Sequence, residues 1–79
     1  DHYIFDAKVL IENVNDILGI EIMEEDIDTI GGWFMTKSFD AIKGEKITEQ
    51  GYEFLIKEID GHQILFLEVH RIPDTAKEE

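Results

Sequence analysis

The amino-acid sequence predicts an α+β domain in which two short helices pack on one face of a small, mainly antiparallel sheet that ends in a β-hairpin. Two stretches with helical spacing of apolar residues lie in the first half of the chain, whereas β-branched and aromatic runs separated by turn residues fill the second half. With 79 residues and no cysteine, the chain has room for one small domain that packing alone must stabilise. Helices that precede a run of sequential strands are typical of this architecture.

A short strand and a helix open the chain. Residues 3–5 favour a strand, which could continue as far as Val9. Apolar residues then recur on one helical face at Ile11, Val14, Ile17 and Leu18. We therefore predict a helix over 11–18, ended by Gly19 as a left-handed C-cap. The sequence leaves open whether 20–22 is extended.

A second helix is predicted from Thr29 to Phe39. One face carries residues one turn apart, with a tryptophan beside them: Ile27, Ile30, Phe34, Ser38 and Trp33. Asp26 or Asp28 is expected to cap the helix N-terminus. The pair Gly31–Gly32 costs about 1 kcal/mol per glycine relative to alanine, so we expect another backbone segment to pass too close for a Cβ atom. The alternative is that these glycines only loosen the first turn.

The second half of the chain begins with a loop at 40–44, in which Gly44 is expected at positive φ. A short strand at 45–48, a turn at 49–51 and a longer strand at 52–59 follow. The longer strand alternates, so three of its side chains should share one side: Tyr52, Phe54 and Ile56.

The pair Asp60–Gly61 is a strong hairpin signal and predicts a tight turn into the last strand. That strand is predicted at 63–69, with an extension to Ile72 left open, and Pro73 ends it. Its apolar run at 64–67 does not alternate strictly. We therefore expect either burial on both faces or a β-bulge.

The charge of the chain limits its partners. Nineteen acidic residues face seven basic ones, and the formal net charge is -12. Such a surface repels phosphates and anionic lipid headgroups, so we predict no nucleic-acid partner. An acidic segment also offers oxygen ligands for a divalent cation such as Mg²⁺ or Ca²⁺: Glu24, Glu25, Asp26 and Asp28. The alternative for this segment is a solvated acidic loop that leads into a helix.

Catalytic machinery is sparse in the sequence, and we predict that the domain is not an enzyme. The one serine, Ser38, has no histidine near it in sequence, and the chain has no cysteine nucleophile. Neither glycine-rich phosphate-binding pattern occurs, and four acids just upstream of Gly31–Gly32 would repel a phosphate. Glu68 and His70 alternate on the last strand, where two ligands do not complete a metal site.

Several separated residues carry a family resemblance. The string from Asp28 to Gly32 leads into the second predicted helix, Gly44 precedes the predicted sheet half, and Asp60 and Gly61 lie in the last predicted hairpin. The residues that carry the pattern are Asp28, Thr29, Gly31, Gly32, Gly44, Asp60 and Gly61. In this pattern the sequence resembles the CorC/HlyC transporter-associated domain, the C-terminal module of bacterial CorC-like magnesium and cobalt efflux proteins and of hemolysins. The resemblance covers roughly 3–69, and Ala7 departs from it because the family usually has glycine there.

The resemblance implies an accessory domain at 1–72, followed by a polar tail at 73–79. It implies a larger membrane protein at the cytoplasmic face of the bacterial inner membrane, with CBS domains and a membrane domain of the same polypeptide as partners and a homodimer left open. It assigns no catalytic residues, and this segment is not expected to insert into the membrane. By fold analogy with FAD-binding enzymes, an alternative is a flavin- or nucleotide-binding module. We expect no cofactor otherwise, apart from a weak divalent cation.

Overall fold

A computed structural model describes residues 2–38 and 40–73 of the chain. Its four strands form one antiparallel sheet in the order β1-β4-β3-β2. The elements in chain order are β1 (His2–Asp6), α1 (Ile11–Leu18), α2 (Ile30–Lys37), β2 (Lys46–Glu49), β3 (Tyr52–Asp60) and β4 (Gln63–Arg71). The predicted α+β architecture is confirmed, and no strand forms at 20–22. Of the predicted polar tail at 73–79, residues 74–79 lie outside the described residues.

The core lies between the helices and one face of the sheet. Trp33 of α2 packs edge-on against Phe54 of β3, with ring centroids 5.0 Å apart. Side chains of both helices and of the two central strands are fully buried there: Val14, Ile30, Trp33, Phe34, Phe54, Ile56, Leu67 and Val69. Because burial alternates along β3 and β4, the opposite face of the sheet is left uncovered by the helices.

The two helix N-termini are fixed by each other's entry segments. The N–H group of Ile11, at the start of α1, donates to the carbonyl oxygen of Asp28 at 2.7 Å. The N–H group of Ile30, at the start of α2, donates to the carbonyl oxygen of Val9 at 2.8 Å. Helix N-termini leave several N–H groups without intrahelical partners. Here the main chain before each helix supplies a carbonyl acceptor for the first N–H group of the other helix.

Thr29 is the residue that caps α2. It has extended backbone angles, and its Oγ1 accepts from the N–H group of Gly32 at 3.2 Å. The prediction of Asp26 or Asp28 as cap is wrong, because the helix begins at Ile30 and only the residue directly before it holds the capping position. The main-chain carbonyl of Asp28, and not its carboxylate, bonds to a helix N-terminus.

The C-terminus of α1 follows the prediction, whereas α2 ends earlier than predicted. Gly19 has a φ of 74° and donates its N–H group to the carbonyl oxygen of Asn15 at 2.7 Å, which confirms the left-handed C-cap of α1. Helix α2 ends at Lys37, and the N–H group of Ser38 donates to Phe34. The predicted extension of the helix to Phe39 is wrong, because Ser38 already has extended backbone angles; Phe39 itself lies outside the described residues.

Gly31 confirms the predicted close backbone approach. A Cβ atom on this residue would lie 2.6 Å from the Cβ atom and 2.9 Å from the carbonyl oxygen of Ala7. The N–H group of Gly31 also donates to that oxygen at 2.9 Å. The first turn of α2 therefore packs directly against the chain just after β1, and position 31 has no room for a Cβ atom.

The two hairpins differ in how well their turns were predicted. Gln50 and Gly51 both have positive φ, at 50° and 88°, as expected for the turn between β2 and β3. In the second hairpin Asp60 pairs with Gln63, so the two loop residues are Gly61 and His62. The predicted hairpin is confirmed, but its turn lies one residue later than the Asp60–Gly61 pair.

The strands β3 and β4 contain the irregularity that the sequence suggested. Their register shifts on both sides of the pair formed by Glu58 and Phe66, first after Ile56 and then before Ile59. One additional residue on each strand is accommodated in this way, which confirms a β-bulge in the non-alternating run. Gly44, at φ 92°, confirms the expected conformation before β2, which begins at Lys46.

Candidate functional site

Among the described residues, a concave surface of about 640 Å³ lies between α1 and the segment 20–28. We call it the acidic groove. Its lining residues come from the start of α1 and from the connection between the helices: Leu10, Ile11, Glu12, Asn15, Ile22, Met23, Glu24, Glu25, Ile27 and Asp28. Its volume is within the range of about 300–1,000 Å³ that is common for binding pockets.

Two side-chain amides hold the irregular wall of the groove in place. The Asn15 side chain accepts from the N–H group of Ile22 at 2.8 Å and donates to its carbonyl oxygen at 3.0 Å. The Gln50 side chain bonds the N–H group and carbonyl oxygen of Glu21 in the same way, at 2.9 and 3.0 Å. The segment between the helices is thereby attached to α1 on one side and to the β2–β3 turn on the other.

Apolar side chains line the inner part of the acidic groove. Ile11 and Ile22 are buried and belong to the core, whereas Ile27 is only partly buried. Leu10 is 41% exposed and Met23 is 82% exposed. These two side chains present apolar surface to solvent beside the core, and a methionine side chain adapts easily to a partner.

The rim of the groove is acidic. Glu12, Glu24, Glu25 and Asp28 line it, and none of its lining residues within 2–38 and 40–73 is a lysine, arginine or histidine. Of the residues proposed from the sequence as cation ligands, Asp26 is exposed and lies outside the lining. Glu12 was not among the predicted ligands, because its position beside the acidic segment depends on how α1 packs.

The acidic side chains do not converge on one point. Within the described part of the chain, no three histidine, aspartate or glutamate side chains come close enough to hold a metal ion together. The carboxylates instead lie along the rim and act as a distributed negative field. Such a field attracts positively charged partners over several ångströms.

A smaller cavity of about 230 Å³ lies at the N-terminus of α2, lined in part by Gly31, Gly32, Lys8 and His62. The N–H groups of the first turn are already bonded: those of Ile30 and Gly31 donate to main-chain oxygens, and that of Gly32 donates to its cap. Helix N-termini bind phosphates through such groups when they are free. The donors that a nucleotide phosphate needs are therefore occupied here.

The uncovered face of the sheet carries two cross-strand pairs of histidine and glutamate. His2 Nε2 is hydrogen bonded to Glu68 Oε2, and His70 Nε2 lies 3.1 Å from Glu53 Oε1. Glu68 and His70 share a face as predicted, but each pairs with a residue on a neighbouring strand. The hydrogen bond from His2 lowers the pKa of Glu68, against the opposing effect of its partial desolvation, and the charges of His2, Lys57 and His70 lower it further.

The family follows from comparison with known proteins. The family model of the transporter-associated domain, CorC_HlyC, matches residues 1–73. The chain belongs to this family. The transporter-associated domain is 52% identical over 73 residues to the UPF0053 protein YhdP of Bacillus subtilis, which covers 92% of this chain and 16% of that protein. It is 38% identical over 72 residues to the magnesium and cobalt efflux protein CorC of Salmonella typhimurium, covering 89% of this chain and 24% of that protein.

A solved structure shares the fold of this transporter-associated domain. The corresponding domain of a Xylella fastidiosa Temecula1 hemolysin, in complex with Mg²⁺ and Mn²⁺, superimposes with a TM-score of 0.80 at 23% identity. The match covers 91% of this chain and 89% of that one, so the solved chain and this one are of about the same length. The chain spans about a sixth to a quarter of the curated relatives named above. Neither helix in the described residues has the length and apolar character to cross a membrane.

Proposed function

We propose that this domain is a non-catalytic accessory module that regulates a CBS-domain-containing ion transporter of the CorC and hemolysin type. The observation that supports it is the match to a magnesium and cobalt efflux protein, which covers 89% of this chain but only 24% of that protein. Transport itself would then reside in the larger remainder. The module would influence transport from the cytoplasmic face of the inner membrane.

The module acts by docking against neighbouring domains of the same polypeptide. A docked domain changes the balance between two transporter states only if its contacts differ between them. The net charge of -12 disfavours contact with an anionic leaflet, so protein surfaces are the expected partners. The acidic groove and the uncovered sheet face are the two surfaces of the described residues that suit such contacts.

The proposal is tested by removing residues 1–73 from the full-length protein and measuring efflux of Mg²⁺ and Co²⁺ from loaded cells. We expect a changed rate or a changed dependence on ion concentration, at an unchanged amount of protein in the membrane. A control in which a flexible linker of equal length replaces the domain separates loss of the module from shortening of the chain. Identical efflux in all three proteins would contradict the proposal.

Cation binding by the acidic segment is a second candidate, favoured by the ions bound to the Xylella domain of the same fold. Glu24, Glu25 and Asp28 line one groove in this chain, although their side chains do not converge. Binding to the folded state would raise the melting temperature with millimolar Mg²⁺ or Mn²⁺. An unchanged melting temperature in the presence of either ion would contradict it.

Flavin or nucleotide binding stays a prediction from fold analogy. The occupied donors at the N-terminus of α2 do not favour it. Calorimetric titration of the domain with FAD, AMP and ATP tests it directly, and micromolar binding of any of them would support a ligand-binding module over a docking module.

A further inference from the structure

We propose that the acidic groove is the docking site for a basic, amphipathic helical segment, whose apolar face covers Leu10, Met23 and Ile27 while its lysines and arginines meet the rim. This inference rests on the proposed docking function and names the surface and the chemistry of the partner. It follows from three properties of the groove: its charge, its exposed apolar surface and the bonded main chain at Glu21 and Ile22.

The charge of the rim selects a basic partner. Glu12, Glu24, Glu25 and Asp28 line the groove, and among the described residues none of them forms an ion pair with a lysine, arginine or histidine. Elsewhere on the domain the structure does pair its bases with acids, as in Lys43 with Glu58 at 3.7 Å. The negative charge of the rim is therefore not neutralised by these ion pairs, so the rim attracts a basic partner and repels an acidic partner.

The apolar lining of the groove indicates that its partner is amphipathic. Leu10 and Met23 are exposed at 41% and 82%, and both lie in the groove beside partly buried Ile27. A partner that brought only charge would leave these side chains in water. Covering them adds a hydrophobic contribution that depends on contact with this groove and not on the charge of the domain as a whole.

The main chain at Glu21 and Ile22 offers nothing to an extended partner at that end of the groove wall. An incoming strand needs unpaired N–H and carbonyl groups along its binding edge. In the wall, Asn15 occupies both main-chain groups of Ile22, and Gln50 occupies both main-chain groups of Glu21. A helix satisfies its own main chain and presents only side chains, which suits a groove whose exposed apolar and acidic side chains are the groups that a partner meets.

The test measures binding of a synthetic peptide to the isolated domain. The probe is an amphipathic peptide of leucine and lysine, about four to five helical turns long, and its counterpart carries glutamate in place of every lysine. The rim variant is Glu24→Gln/Glu25→Gln, and its control, Asp16→Asn/Asp40→Asn, removes the same charge from exposed positions outside the groove. Fluorescence anisotropy of the labelled peptide gives Kd for each pair.

A second pair of variants tests the apolar contact. Met23→Gln removes exposed apolar surface inside the groove, and Ile17→Gln removes it from the exposed side of α1, where the side chain is 52% exposed. We expect the lysine peptide to bind and its glutamate counterpart not to. We further expect the rim variant to weaken binding about threefold to tenfold, Met23→Gln about tenfold, and each control less than about twofold.

The inference is overturned if the lysine peptide does not bind, or if the rim variant and its control weaken binding equally, because general charge would then explain the affinity. Equal effects of Met23→Gln and Ile17→Gln overturn it as well. The outcome is separable from that of the proposed function. If the peptide binds selectively but deletion leaves efflux unchanged, the docking site stands and the regulatory function is refuted. If deletion alters efflux but the peptide does not bind selectively, the regulatory function stands and the docking site is refuted.

Discussion

Replacing Gly31 with alanine tests the close approach between α2 and the chain after β1. The added Cβ atom would lie 2.6 Å from the Cβ atom of Ala7 and 2.9 Å from its carbonyl oxygen. That oxygen also accepts the hydrogen bond from Gly31, so moving the two segments apart weakens this bond. Main-chain atoms on a strand end cannot rotate away as a flexible side chain can.

The expected destabilisation is about 1–3 kcal/mol. Overpacking a well-packed core costs about 1–3 kcal/mol, occasionally more. Alanine favours a helix over glycine by about 0.5–1 kcal/mol, which offsets a small part of this. For a domain of this size, each kcal/mol lowers the melting temperature by about 4–8 °C.

Gly32→Ala is the matched control, because both glycines lie in the first turn of the same helix. Its Cβ atom would meet only side-chain atoms, at 2.9 Å from Ile27 Cγ2 and 3.0 Å from Thr29 Oγ1, so shifts of a few tenths of an ångström in these side chains relieve it without displacing another main-chain segment. We expect less than about 1 kcal/mol of destabilisation, since the helical preference of alanine offsets a smaller clash. Urea unfolding followed by circular dichroism measures both variants.

The double variant Ala7→Gly/Gly31→Ala removes the shortest contact while leaving the one to the carbonyl oxygen. It should recover about half of the stability lost by Gly31→Ala, which gives a coupling energy above about 0.5 kcal/mol. Equal stability of Gly31→Ala and Gly32→Ala would contradict the close approach at Gly31. Additive free-energy changes for Ala7→Gly and Gly31→Ala would contradict it as well.

Three further predictions concern polar contacts. Thr29→Ala should cost about 1 kcal/mol by removing the cap of α2, whereas Thr29→Ser should be nearly neutral in thermal melts. Asn15→Ala should cost about 1–3 kcal/mol by leaving both main-chain groups of Ile22 unpaired, and Asn15→Asp, which keeps the acceptor for the N–H group, should cost less in urea unfolding. The pKa of Glu68 is lowered from its usual 4.5, so its stabilising effect is present above about pH 4.5 and lost as the pH falls through the folded-state value. Substituting His2→Gln should therefore flatten the loss of stability below about pH 4.5, and an unchanged pH profile would contradict this cause.

The parts of the fold that could be predicted from sequence are those decided by local chemistry. The spacing of apolar residues located α1 over 11–18, and Gly19 was recognised as its cap because a left-handed conformation favours glycine. The positive φ of Gly44 follows from the same preference. Gly31 was expected at a close approach, although only the structure identifies Ala7 as the contact.

The parts that were missed depend on contacts between distant segments. Thr29 caps α2 because the hydrogen bonds between the segments that precede the two helices fix where α2 begins. In the sequence, the neighbouring aspartates are equally good cap residues, so the capping position could not be assigned to Thr29. The last turn lies one residue later than predicted because Asp60 still pairs with Gln63 as the end of β3, and the bulges on β3 and β4 compensate each other without changing the register at the turn. The acidic groove needs Glu12 and Asn15 from α1 beside the acidic segment, and no local pattern signals that arrangement.

We propose that the module binds the rest of its protein differently in two transport states. The most direct test measures binding of the isolated domain to the full-length protein lacking it, in nanodiscs, with and without Mg²⁺. We predict binding whose affinity changes by about 5- to 150-fold between the two conditions, as typical coupling energies require. Absence of binding, or equal affinity in both conditions, would contradict the claim.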